Sequence, residues 1–104
     1  MASVNSKAEL IEVLKANAIH ILGFGVHRIG VFGSFARDTA GPDSDVDLFV
    51  EFSPGKKTLR NLVGLSRSLE KDLGRKVELV TRESLNRITG KYIVQEVEYV
   101  ALAA

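Results

Sequence analysis

The sequence predicts a small α/β (α+β) domain, a mixed sheet of three to four strands packed with helices. Three observations carry that expectation. Segments with a helical apolar period alternate with short β-branched runs, in the order helix, strand, short helix, strand, helix, strand, helix. No repeat, low-complexity tract or linker divides the 104 residues, a length that suits one modest core, so residues 1–104 read as a single domain. Turn-forming clusters at Gly23 to Gly25, Thr39 to Ser44 and Ser53 to Lys57 punctuate the segments.

The first helix opens at Ser6-Lys7-Ala8-Glu9, whose capping-box spacing makes Ser6 the N-cap and sends the Glu9 side chain back to the Ser6 amide. Leu10, Leu14, Ala18, Ile21 and Leu22 recur at helical spacing, which carries the helix from about Lys7 to about Ile21. Val26 to Phe32 is a first strand, and its interior Gly30 marks a close approach of another backbone or a ligand. Ser34 to Arg37 has room for one helical turn. Asp45 to Phe52 is a second strand, with Val46, Leu48 and Val50 on one face and Asp45, Asp47, Phe49 and Glu51 on the other.

Leu59, Leu62, Leu65, Leu69 and Leu73 form a helical stripe that predicts a second long helix from about Thr58 to Leu73, ended by a left-handed Gly74. Val77 to Val80 is a third strand. Thr81 caps a short helix from Arg82 to about Ile88, stopped by Gly90. The tail from Lys91 to Leu102 fits a helix through Ile93, Val97, Val100 and Ala101, the expectation adopted, while its β-branched content also fits a strand near residues 97–102.

Fourteen lysines and arginines against 13 acids leave a net charge of +1, which gives no general pull toward nucleic acid or an anionic membrane. Lys56, Lys57, Arg60, Arg67, Lys71, Arg75 and Lys76 read as the wet face of the second long helix and its turns. The absence of cysteine excludes disulfides, thiolate metal sites and a cysteine nucleophile, and fits the cytoplasm. The N-terminal segment lacks a signal peptide's apolar core and no run has membrane-spanning length, so a cytoplasmic protein with no membrane partner is expected. His20 and His27 match no metal or triad spacing.

The chemistry concentrates in two places. Aspartate is depleted in strand interiors, yet Asp45 and Asp47 lie in an apolar run, on one face, with Cα atoms roughly 7 Å apart. At an effective dielectric near 20, such carboxylates repel by roughly 2 to 3 kcal/mol, which a divalent cation would reverse. Alone, the pair also fits a solvated strand start that keeps an edge soluble. Glu78 adds a third acid inside the third strand. If that strand neighbours the second, three acids converge on one or two Mg²⁺ ions. Gly33-Ser34, between a strand and a helix, offers amides and a hydroxyl to phosphate, or simply a tight turn and an N-cap. Arg37, one turn on, reaches a phosphate or Asp38, or solvent.

Gly33-Ser34, the ten residues Phe35 to Ser44, and Asp45-Val46-Asp47 together resemble the signature of the minimal nucleotidyltransferases of the DNA polymerase beta superfamily. Gly33-Ser34-Phe35-Ala36-Arg37, Pro42 to Phe52 and Gly74 to Thr81 extend the likeness over most of the chain. The resemblance implies a polymerase-beta-like palm in which Gly33 and Ser34 hold the triphosphate of ATP or another NTP, and Arg37 is the candidate phosphate contact by its position one turn on. It implies that Asp45 and Asp47 bind two Mg²⁺ ions and that a third carboxylate, Glu78, places the attacking hydroxyl. Glu78 stands where the family more often has aspartate, and Asp38 where it often has glycine.

Members of this size resemble antitoxins paired with a ribonuclease toxin of the HEPN (higher eukaryotes and prokaryotes nucleotide-binding) class, and similar antitoxins move AMP from ATP to a tyrosine of that partner. The resemblance thus implies a Mg²⁺-dependent protein adenylyltransferase. A binding module that neutralises the toxin by covering it is the alternative.

Overall fold

Two antiparallel strands, β1 (Val26–Phe32) and β2 (Val46–Phe52), form the centre of the sheet. β3 (Val77–Thr81) joins β2 in parallel, and β4 (Glu98–Val100) joins β1 antiparallel, giving the order β3-β2-β1-β4 among the described residues. The structure is a computed structural model and describes residues 3–86 and 89–102.

Period-two patterning sorts the sheet into two unlike faces. Val46, Leu48 and Val50 of β2 and their neighbours Ile29 and Val31 of β1 are fully buried. They share one core with Leu10 and Leu14 of α1 (Lys7–Ala16), Ile21 of α2 (Ala18–Gly23), Phe35 of α3 (Gly33–Ala36), and Leu65, Leu69 and Leu73 of α4 (Leu59–Leu73). The opposite face carries Arg28 and Gly30 of β1, Asp47, Phe49 and Glu51 of β2, Glu78 of β3 and Tyr99 of β4, matched across the strands by register. α5 (Thr89–Glu96) and the residues after it approach this second face, where a Cβ on Gly30 would collide with Val97 and crowd the Glu98 carbonyl. Gly30 therefore makes room first for the Val97 side chain and then for the Glu98 carbonyl at the start of β4.

The expected helix from Lys7 to Ile21 is broken at Asn17. Its backbone leaves helical values, φ −104° and ψ 17°, while its side-chain amide donates to the Val13 carbonyl at 2.9 Å, a local bond that competes with the helix. Ser6 caps as expected, accepting from the Glu9 amide at 3.1 Å, but the Glu9 carboxylate accepts from the Asn5 amide, one residue earlier than Ser6. α4 is closed as its sequence dictates, by Thr58 accepting from the Asn61 amide and by Gly74 at φ 66°.

The segment after β3 differs more. Arg82–Ser84 is a single 3-10 turn, closed by the Thr81 amide donating to Ser84 Oγ at 3.2 Å. Gly90 stops nothing, because it lies inside α5; residues 87–88 of the expected short helix lie outside the described residues. The tail is helix and strand in succession. Val100 pairs with Ile29 on the core face, so the exposed edge of β1 recruits three residues that the helical reading had absorbed.

Candidate active site

β1 delivers the chain to Gly33, which turns it into α3 with φ +73°, a left-handed conformation that favours glycine. A Cβ at that position would also collide with Asp47 Oδ2. Gly33 is thus required twice, by its backbone and by the carboxylate lying against it.

Asp47 sits opposite Phe32 across the β1–β2 pair and opposite Glu78 across the parallel β2–β3 pair. Its carboxyl is pushed from the ordinary 3.8 up to about 6, first by partial burial, then by the charges of Glu78 and Asp45 and a hydrogen bond shared with Glu78, with Arg37 pulling the other way. The sheet therefore brings together the three acids singled out in the sequence. Asp45 immediately precedes β2, which begins at Val46, and both Asp45 and Glu78 are exposed while Asp47 is half-buried.

As placed, these are neighbours and not a closed cage: among the described residues no three carboxylate or imidazole side chains stand close enough to hold an ion unaided. The donor set nonetheless suits one kind of cation. Three carboxylates and no nitrogen or sulfur ligand match a hard, water-retaining ion, whose charge would offset the burial and the neighbouring Glu78 and Asp45 charges that push the Asp47 carboxyl up.

Arg37 is not free beside Ser34. Its guanidinium is ion-paired with Glu96 near the end of α5, tying α3 to the segment above the second sheet face. Asp38 has φ 57°, a conformation aspartate tolerates better than most residues, and its Oδ1 accepts from the Lys7 amide at 3.1 Å. Its charge is thereby directed to the amide end of α1.

Arg75, which its sequence position assigns to the wet surroundings of a helix, is a clamp. Its Nε donates to Val4 O at 2.7 Å, and one terminal nitrogen donates to the carbonyls of Gly41 at 2.8 Å and Ser44 at 2.9 Å. The loop between Gly33-Ser34 and Asp45 is held through these bonds, so the spacing of the acids from the glycine turn depends on a residue thirty positions further on. No spacing rule announces it. Glu51, on the acid-bearing face, accepts from Arg28 Nε at 2.6 Å and from Arg82 at 3.1 Å, partners that no local spacing announces.

No helix among the described residues is long and apolar enough to cross a membrane. A family model described as the nucleotidyltransferase domain matches residues 9–102. A protein adenylyltransferase of Thermococcus cleftensis, MntA, is 44% identical over 77 residues, spanning 74% of this chain and 77% of that protein. A solved structure described as a minimal nucleotidyltransferase superposes with a TM-score of 0.70 at 35% identity, over 85% of this chain and 93% of the other. A chain from a toxin–antitoxin crystal with AMP-PNP shares the fold, with a TM-score of 0.66 at 22% identity over 82% of this chain and 70% of its own.

Proposed function

We propose, for a chain that belongs to the nucleotidyltransferase domain family and is a nucleotidyltransferase, that it moves AMP from ATP to a hydroxyl of a partner protein, the HEPN-type toxin of a toxin–antitoxin pair. The name of the Thermococcus cleftensis relative supports protein as acceptor and AMP as the transferred group. The fold shared with a toxin–antitoxin chain crystallised with AMP-PNP is consistent with that partner.

The observation that carries the reading is the meeting of Asp47, Glu78 and Gly33 at one end of the second sheet face. Gly33 lacks a side chain, so the Asp47 carboxylate lies directly against the turn into α3, and the Ser34 hydroxyl beside that turn donates to phosphate oxygens. Arg37, exchanging Glu96 for phosphate, neutralises charge on the same side. Glu78 accepts the hydrogen bond of the acceptor hydroxyl and takes its proton as the hydroxyl oxygen bonds to the α-phosphorus. The bond from the α-phosphorus to the bridging oxygen breaks, and pyrophosphate leaves with that electron pair. Asp45, Asp47 and Glu78 would hold Mg²⁺, two ions in all, which lower the acceptor's pKa and stabilise the leaving group.

The test is to incubate the chain with ATP, Mg²⁺ and the protein encoded beside it, and to weigh the intact products. An AMP-sized increment on the neighbour that Asp45→Asn abolishes together with neutralisation supports transfer. Neutralisation that survives Asp45→Asn supports a cover instead.

A further inference from the structure

Down the sheet from the carboxylates, on the same face, lies a cleft of about 160 Å³. Its floor is Phe49, Leu85, Val94 and Tyr99, and its charged wall is Arg28, Glu51 and Arg82. Phe49 is two residues along β2 from Asp47 and so roughly 7 Å away, with Glu51 roughly 13 Å away. The floor of the cleft thus begins where the proposed reacting centre ends.

The wall has an uneven charge balance. Glu51 has only 10% of its side chain exposed and takes bonds from both guanidinium groups, which are 47% and 73% exposed for Arg28 and Arg82. Burial pushes the Glu51 carboxyl up, but the bonds from Arg28 and Arg82 outweigh it and hold the group below the usual carboxylate range. One carboxylate thus stands between two cations, and among the described residues neither arginine has another acid as ion-pair partner; the nearby Glu83 pairs with Lys57. Arg28 is further fixed by its guanidinium lying 3.8 Å from the centre of the Tyr99 ring. A buried anion pairs with both groups, which keep exposed surface beside the apolar side chains of the cleft. A second carboxylate, carried beside an apolar side chain, would balance the charge and fill the cleft.

We infer that this cleft docks the acceptor segment of the partner protein and selects an acidic residue lying two to four positions from the modified hydroxyl, with an apolar side chain between. The inference rests on the reading that the acceptor is a protein. An extended chain advances roughly 3.3 Å per residue, so that spacing bridges Asp47 and the two arginines.

The test uses synthetic peptides with one tyrosine, a phenylalanine beside it, and Asp, Ala or Lys three residues away, each tagged with fluorescein. Binding to the full chain is read by anisotropy, transfer by label from α-³²P-ATP with Mg²⁺, and ATP affinity by a fluorescent analogue. The Asp peptide is expected to bind at least fivefold more tightly than the Lys peptide. Arg82→Gln reduces that preference to under twofold and Arg82→Glu reverses it, with ATP affinity unchanged in both. Absent or indiscriminate peptide binding overturns the cleft as an acceptor site, and so does a loss of ATP affinity in Arg82→Gln, which would make it a nucleobase pocket. Discrimination in binding without transfer leaves the cleft standing and overturns the acceptor chemistry.

Discussion

Arg37, on the first turn after Gly33, is ion-paired with Glu96, 59 residues later in the chain. The arginine proposed to meet the triphosphate is therefore already occupied, and nucleotide competes with a carboxylate for it. Both side chains keep substantial exposure, so the pair is worth about 1 kcal/mol at most, or about fivefold in affinity. Glu96→Gln should tighten ATP binding by about that factor, and the gain should vanish in an Arg37→Gln background, as a double-mutant cycle with a fluorescent nucleotide would show. A gain that persists without Arg37 would locate the effect elsewhere.

Gly33→Ala should be the most damaging small substitution. It places a methyl group against the Asp47 carboxylate in a backbone at φ +73°. A displacement of about 1 Å at a reacting centre costs about a hundredfold in rate. A drop of at least that size in transfer, with a lower melting temperature, is the expected outcome, and near-wild-type turnover would contradict the crowding described.

Asp47 imposes a pH dependence on the metal-free chain. An acid whose folded value is raised from 3.8 to about 6 contributes stability that is complete below its unfolded value and lost as pH rises through the folded one. The group is only half-buried, so solvent screening reduces the effect to about 1 kcal/mol. In EDTA, urea midpoints should show Asp47→Asn gaining on the native chain between about pH 4 and pH 6.5, with no further gain above it. A difference that stays constant over that window would mean that neither burial nor the charges of Glu78 and Asp45 raise the Asp47 carboxyl.

Arg75 should matter for stability and, through the loop it holds, for rate. Its removal leaves the carbonyls of Val4, Gly41 and Ser44 without their charged donor. Arg75→Ala should cost about 2 to 4 kcal/mol by urea unfolding, and Arg75→Lys most of that, because one ammonium cannot span all three acceptors. A loss under half a kilocalorie would show that the loop holds its shape without the clamp.

What the sequence made legible was whatever a short window encodes. The alternation of Val46, Leu48 and Val50 with Asp47, Phe49 and Glu51 sets the faces of β2. The leucine stripe before Gly74 sets α4, and glycine before serine marks the turn into α3. That Asp45, Asp47 and Glu78 share a region follows from two strands being neighbours, which the alternating α/β order favours. The remainder depends on contacts between distant positions. β4 is three residues long and exists because β1 has an open edge and Gly30 admits the Val97 side chain and the Glu98 carbonyl. Glu96 and Arg75 look like ordinary surface charges until the fold brings Arg37 to the one and the Gly41 to Ser44 carbonyls to the other. Asp38, an added charge near a phosphate site in the linear text, is aimed at the start of α1.

The account depends most on three carboxylates acting as one cation site. Mn²⁺ titration of the AMP-PNP-loaded chain, followed by electron paramagnetic resonance, reads this without any acceptor. The native chain should bind Mn²⁺ at least tenfold more tightly than Asp45→Asn, Asp47→Asn or Glu78→Gln. Native affinity retained in Glu78→Gln would contradict the claim, leaving the third acid outside the site.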